Sequence, residues 1–201
     1  MKIVEGYPAL FIEPNYLVIG DLHIGYEVEA RKRGIFLNPL VDQFLDDLKT
    51  VQRKVRAEEL FILGDVKHSV TNPSMDEVIE VVRFFDSCLE IFKTVHIVPG
   101  NHDGGLRHYL RPEVKFYSPH GTLVRQADGS NIGLLHGHAM PSREVANANT
   151  IVVAHLHLSV KYSGLKLNVW AKVKYGGKEF VFLPPFNRLL PGHSLATFRP
   201  V

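Results

Sequence analysis

Five short apolar runs constrain what this chain can fold into, because each stops abruptly at side chains that bind metals. "YLVIG" ends in Asp21-Leu22-His23, "ELFILG" in Asp65, "TVHIVPG" in Asn101-His102-Asp103, "NIGLL" in His136-Gly137-His138 and "TIVVA" in His155-Leu156-His157. Short apolar runs rich in β-branched residues read as strands covered on both faces. In open α/β sheets ligand sites form beyond the carboxyl ends of strands, so five such ends side by side would meet in one crevice. Taken singly, each motif reads as a turn: Pro99-Gly100-Asn101 is good turn chemistry, and Gly64-Asp65 alone carries almost no signal. Taken together they gather six of the eleven histidines at strand ends, which turn chemistry does not explain.

The first half alternates strand and helix. "ALFIEP" and "YLVIG" are expected as strands, and Asn38-Pro39 as a cap and first residue of a helix whose face is Leu40, Phe44, Leu48 and Val51. Ser74 and Glu77 have capping-box spacing ahead of Val78, Val81, Val82, Phe85, Cys88, Leu89 and Phe92. Beyond about residue 113 the pattern turns toward antiparallel strands, with hairpins turning at Asp128-Gly129 and Gly176-Gly177 and a short helix near 142–148 between them. The expected fold is α/β (α+β): one domain, residues 1–201, in which two sheets pack face to face with helices outside.

Composition adds bounds. The formal charge of +2 in 201 residues is too small to imply a nucleic-acid partner by itself, and clusters such as Arg31-Lys32-Arg33 are short. A lone Cys88 excludes an intrachain disulfide and fits a reducing interior. No run of about eighteen apolar residues and no uninterrupted signal core occurs, so the expectation is a soluble, cytoplasmic protein without a membrane partner.

The ligand types restrict the metal. There is no cysteine pair for a structural zinc and no His-Glu-x-x-His. Mixed His, Asp and Asn donors suit manganese first, with iron, zinc, nickel or magnesium as alternatives. Asp21, His23, Asp65, Asn101, His136, His155 and His157 are too many for one tetrahedral ion and suffice for two divalent ions if one carboxylate bridges.

With these residues assembled, the sequence resembles the calcineurin-like metallophosphoesterases, whose ordered motifs stand here as "DLH", "GDVKH", "GNHD", "HGH" and "AHLH". Within that superfamily it looks most like the archaeal phosphoesterases related to SbcD, a nuclease subunit of double-strand-break repair. Ala154 stands where the family usually has glycine. The resemblance implies a four-layer αββα sandwich of two mixed sheets. It also implies that Asp21, His23, Asp65 and His157 hold one metal and Asp65, Asn101, His136 and His155 the other. His102 matches the non-ligating histidine beside the scissile phosphate, the general acid, and Asp103 the carboxylate that orients it. His68 and His138 are expected on the substrate side or in support.

The chemistry that follows is phosphoester hydrolysis, with a hydroxide bridging two cations as nucleophile. A phosphodiesterase or nuclease is the first reading, with a phosphoester substrate, nucleic acid included. A small-molecule phosphomonoesterase or cyclic-nucleotide phosphodiesterase is the alternative, since 201 residues leave little room for DNA-capping segments. A retired, non-catalytic scaffold fits poorly with a complete ligand set. Oligomeric state is not legible.

Overall fold

The computed structural model describes residues 1–194. Its first sheet has the order β1 (Lys2–Ile3), β2 (Leu10–Ile12), β3 (Tyr16–Gly20), β4 (Glu59–Leu63), β5 (Thr94–Val98) and β6 (Lys115–Phe116), antiparallel through β3 and parallel from there on. The parallel steps require crossovers. One is made by α1 (Tyr26–Lys32) and α2 (Leu40–Val55), the next by α3 (Met75–Ile91).

Alternation along the strands divides their side chains between two cores. Leu17, Ile19, Leu60, Ile62, Val95 and Ile97 pack under α2 and α3. Val18, Phe61, Leu63 and Val98 face the second sheet, where they meet Val124, Ile132, Leu134, Val152 and Val181. The helices answer with the expected faces: α2 buries Leu40, Val41, Phe44, Leu45, Leu48 and Val51, and α3 buries Val81, Phe84, Phe85 and Cys88.

The second sheet runs β12 (Ala171–Tyr175), β13 (Lys178–Phe182), β9 (Thr150–Val153), β8 (Asn131–Leu135), β7 (Thr122–Arg125). Its two outer hairpins are antiparallel as expected, and Gly176 and Gly177, with φ 58° and 76°, make the tight turn between β12 and β13. Its centre is not antiparallel: β8, β9 and β13 are parallel, because α4 (Arg143–Ala146) carries the chain back between β8 and β9. The outer face of this sheet is covered by a small cluster around Leu135, Val145, Ala148 and Ile151, so the fourth layer is thin. A third sheet, β11 (Leu165–Asn168), β10 (Leu158–Tyr162) and β14 (His193–Ser194), completes the described chain.

Two expected caps differ. Pro39, with ψ 128°, is itself the residue before α2 and Asn38 makes no cap. Ser74 caps α3 by accepting from Glu77 N, but the Glu77 carboxylate turns away to accept from Ser69 N and Oγ at 2.7 and 2.6 Å. Ala154, the departure from the family glycine, is buried between the sheets, where a methyl on Gly20 would come within 2.8 Å of its own.

Candidate metal centre

The carboxyl ends of β3, β4, β5, β8 and β9 converge, and the polar residues beyond them form one cluster. Three groups of side chains bring donor atoms within 4.8 Å of one another: Asp21, His23 and His157; Asp65, His136 and His155; and His23, Asp65 and His102. The loops after β3 and β4 continue the ladder through Asp21 N to Gly64 O, His23 N to Asp65 O and Ile24 N to Val66 O. The segment after β13 closes over it, as Phe186 N and Asn187 N donate to Gly20 O and Asp21 O.

Backbone geometry marks the same residues. Asp21, His23, Asp65, His155 and His157 all have positive φ, between 42° and 65°, a region that non-glycine residues rarely occupy. Such conformations cost on the order of 1–3 kcal/mol each and persist where the surroundings enforce them, which is typical of functional sites. Two glycines make room: a Cβ on Gly64 would lie 2.5 Å from His136 Nδ1, and one on Gly100 would lie 2.5 Å from Asp65 N.

The donors fit cations. His23 Nε2, His136 Nε2 and His157 Nε2 are buried and have no hydrogen-bond partner. They stand 3.5 Å from Asp65 Oδ2, 3.3 Å from Asp65 Oδ1 and 3.2 Å from Asp21 Oδ1 respectively. Two donors sharing one ion at bond lengths of about 2.1 Å are about 3.0–3.4 Å apart, so these spacings suit shared ions. His136 Nδ1 donates to Leu63 O at 2.8 Å, which leaves the Nε2 lone pair aimed at Asp65. His155 is held by its backbone, whose N–H donates to Asp21 Oδ2 at 3.1 Å, and its Nδ1 is 4.0 Å from Asp65 Oδ2.

Electrostatics agrees. Burial opposes ionisation of Asp65, but the His136 and His23 rings beside it outweigh burial and hold the carboxyl well below the usual range. Burial likewise disfavours a charged His136, yet Asp65 and Asp21 prevail and raise it to about 9. Two buried carboxylates thus demand positive charge, and without an ion a ring must supply it. Burial, with His136 nearby, lowers His155 and His138.

The remaining expected residues are distributed as follows. Asn101 is exposed in the loop after β5, between Gly100 and His102. His102 N donates to Asp65 Oδ1 at 3.0 Å and its ring lies 4.7 Å from that of His23. Asp103, expected to orient His102, is occupied elsewhere: its buried carboxylate accepts from Val66 N and Gly100 N at 2.9 and 2.8 Å. The ring is oriented by a main-chain group, as His102 Nδ1 donates to His68 O at 2.5 Å. His68 itself touches His23, Nδ1 to Nδ1 at 3.3 Å, and Tyr26, with ring centroids 5.4 Å apart. His138 is exposed at the rim, its ring centroid 5.2 Å from that of His136.

Sequence reasoning did not find Lys67, Glu77 or Asn187. Lys67 is buried, with its Nζ donating to Ser69 O and to Val70 O, and Asn187 Nδ2 donates to Leu22 O at 3.1 Å. Glu77, at capping-box spacing, was legible only as a cap.

A two-sheet sandwich with a His/Asp cluster at its strand ends offers a set of donors that could hold metal ions. The chain belongs to the calcineurin-like phosphoesterases: the profile described as "Calcineurin-like phosphoesterase" matches residues 14–187. It is therefore a hydrolase of phosphoester bonds. The fold is similar to that of the Pseudomonas putida nuclease MPE, at 19% identity and TM-score 0.63 over 92% of this chain and 80% of that one. It is also similar to Yfce, a phosphoesterase from E. coli, at 18% identity and TM-score 0.52 over 88% of this chain and 81% of that one. No protein of curated function matches the sequence significantly. Among the described residues no helix is long and apolar enough to cross a membrane.

Proposed function

We propose that the chain hydrolyses phosphodiesters using two divalent ions, manganese first. Asp21, His23 and His157 would hold one ion, His136, His155 and Asn101 the other, and Asp65 both. When bound, the ions would supply charge to bind phosphoryl oxygens and Lewis acidity to make hydroxide available near neutral pH. The observation that carries the reading is the set of three buried, unpartnered imidazole nitrogens around Asp21 and Asp65.

His102 acts as general acid. Its Nδ1–H is fixed on His68 O, so when the ring is an imidazolium the second proton sits on Nε2 and passes to the leaving oxygen, which returns the ring to the neutral Nδ1–H form. Asp103 positions the loop that carries His102 through its two backbone contacts. His68 and Tyr26 line a cleft of about 340 Å³ beside His23 and His157, where they exclude water from one side of the bound ester. That volume lies near the small end of ligand sites, which favours a small phosphomonoester or cyclic nucleotide as the second reading. The lone, buried Cys88 supports action in a reducing cytoplasm.

The test is turnover of bis-p-nitrophenyl phosphate and p-nitrophenyl phosphate by manganese-loaded protein, with Asp65→Ala as blank. Faster diester hydrolysis, lost in the blank, is expected. No turnover of either ester contradicts the reading.

A further inference from the structure

The hairpin formed by β10 and β11 leaves the metal centre directly, since Leu158 follows His157. Its register places Lys161 opposite Lys166 on one face, and Tyr162 opposite Leu165 and Val160 opposite Leu167 on the other. Like charges directly across a pair destabilise it, and large apolar side chains exposed side by side mark an interaction surface. Here both occur: Tyr162 and Leu165 are 69% and 64% exposed, and both lysines are exposed. From Val145 to Lys178 the chain contains no Asp or Glu, while Lys172, Lys174 and Lys178 follow the first two lysines.

The lysine face is also the face that leans on the rim of the cleft. Asn168, two residues from Lys166 on the same face, donates its Nδ2 to Leu190 O at 3.0 Å. Leu190, Pro191 and His193 border the cleft with His23 and His157. At about 3.3 Å per strand residue, Lys161 lies about 13 Å along the chain from His157, a few nucleotides from a phosphate held at the metals.

We infer that the lysine face of this hairpin is a docking surface for a nucleic-acid strand, with Lys161 and Lys166 on backbone phosphates. Charge complementarity and continuity with the metal centre select this occupant, because a cationic track along the backbone is how single strands are held without sequence readout. The inference rests on the phosphodiester reading.

The experiment is fluorescence anisotropy of a labelled 20-nucleotide single strand, titrated with the chain over a range of salt. Lys161→Ala/Lys166→Ala should weaken binding about tenfold or more near 0.1 M salt and flatten the log–log salt slope by about 1.4. Lys49→Ala/Lys93→Ala removes the same charge from exposed positions elsewhere and should leave the slope unchanged. Equal effects in both variants, or none in either, overturn the inference. So does binding to phosphatidylserine vesicles without binding to the strand. Unmutated chain that hydrolyses no bis-p-nitrophenyl phosphate overturns the phosphodiester reading. Hydrolysis with unaltered strand binding in the hairpin variant overturns the hairpin alone.

Discussion

The ring of His102 is held by the carbonyl of His68, to which its Nδ1–H donates at 2.5 Å. A carbonyl accepts a hydrogen bond but takes no proton, so this contact fixes the tautomer as well as the orientation. It separates two residues that the GNHD motif makes neighbours: the proposed mechanism puts His102 on substrate, while Asp103 accepts from the backbone.

His102→Ala should therefore keep its metals and lose about 10²- to 10⁴-fold in turnover. Asp103→Ala should instead strand Val66 N and Gly100 N, lower the melting temperature and weaken metal binding. Metal content by mass spectrometry beside steady-state rates separates them. Metal loss in His102→Ala contradicts this division of roles.

Glu77 acts two contacts away. Its carboxylate holds Ser69, the residue after the carbonyl that grips His102. Glu77→Ala should lower kcat with metal stoichiometry intact, by less than His102→Ala does, and Glu77→Gln should recover part of the loss. An unchanged kcat would remove Glu77 from the account.

Gly100 has no room for a side chain, since its Cβ would lie 2.8 Å from His136 Nε2. Gly100→Ala should cost about 1–3 kcal/mol of stability through strain and weaken metal affinity. Denaturant unfolding and a metal titration measure both, and wild-type values in each would contradict the packing described.

Far from the metals, His96 is buried between the sheets, stacked on Phe61 at 4.2 Å, with Nε2 donating to Glu59 at 2.7 Å. Burial lowers its pKa, with Glu59 opposing. The unfolded chain takes up this proton near 6.5 and the folded chain only at lower pH, so the contribution is full above about 6.5 and lost as pH falls below it. Between pH about 7.5 and 5.5 the melting temperature of His96→Phe should fall less than that of the wild type. Parallel curves would contradict this.

The strands were legible because Leu17–Ile19, Leu60–Leu63 and Val95–Val98 bury residues on both faces, which leaves an unbroken apolar run. α1 was not legible: it opens at Gly25 in a left-handed conformation and buries only Glu27 and Ala30, so no apolar stripe exists. β10 and β11 escaped notice because most of their side chains are exposed, and β14 because its partner, β10, lies far back in the sequence. At the site, side-chain donors were legible by type and order. The groups that orient them, His68 O and Leu63 O, are backbone carbonyls with no residue signature, and only the folded chain shows them.

Central to all of this is Asp65, whose two carboxylate oxygens face His136 and His23 from opposite sides of the cluster. Isothermal titration of metal-free chain with manganese tests that position most directly. Two equivalents should bind per chain, and Asp65→Ala should lose both. A single equivalent, or two that survive Asp65→Ala, would contradict a two-ion centre joined at this residue.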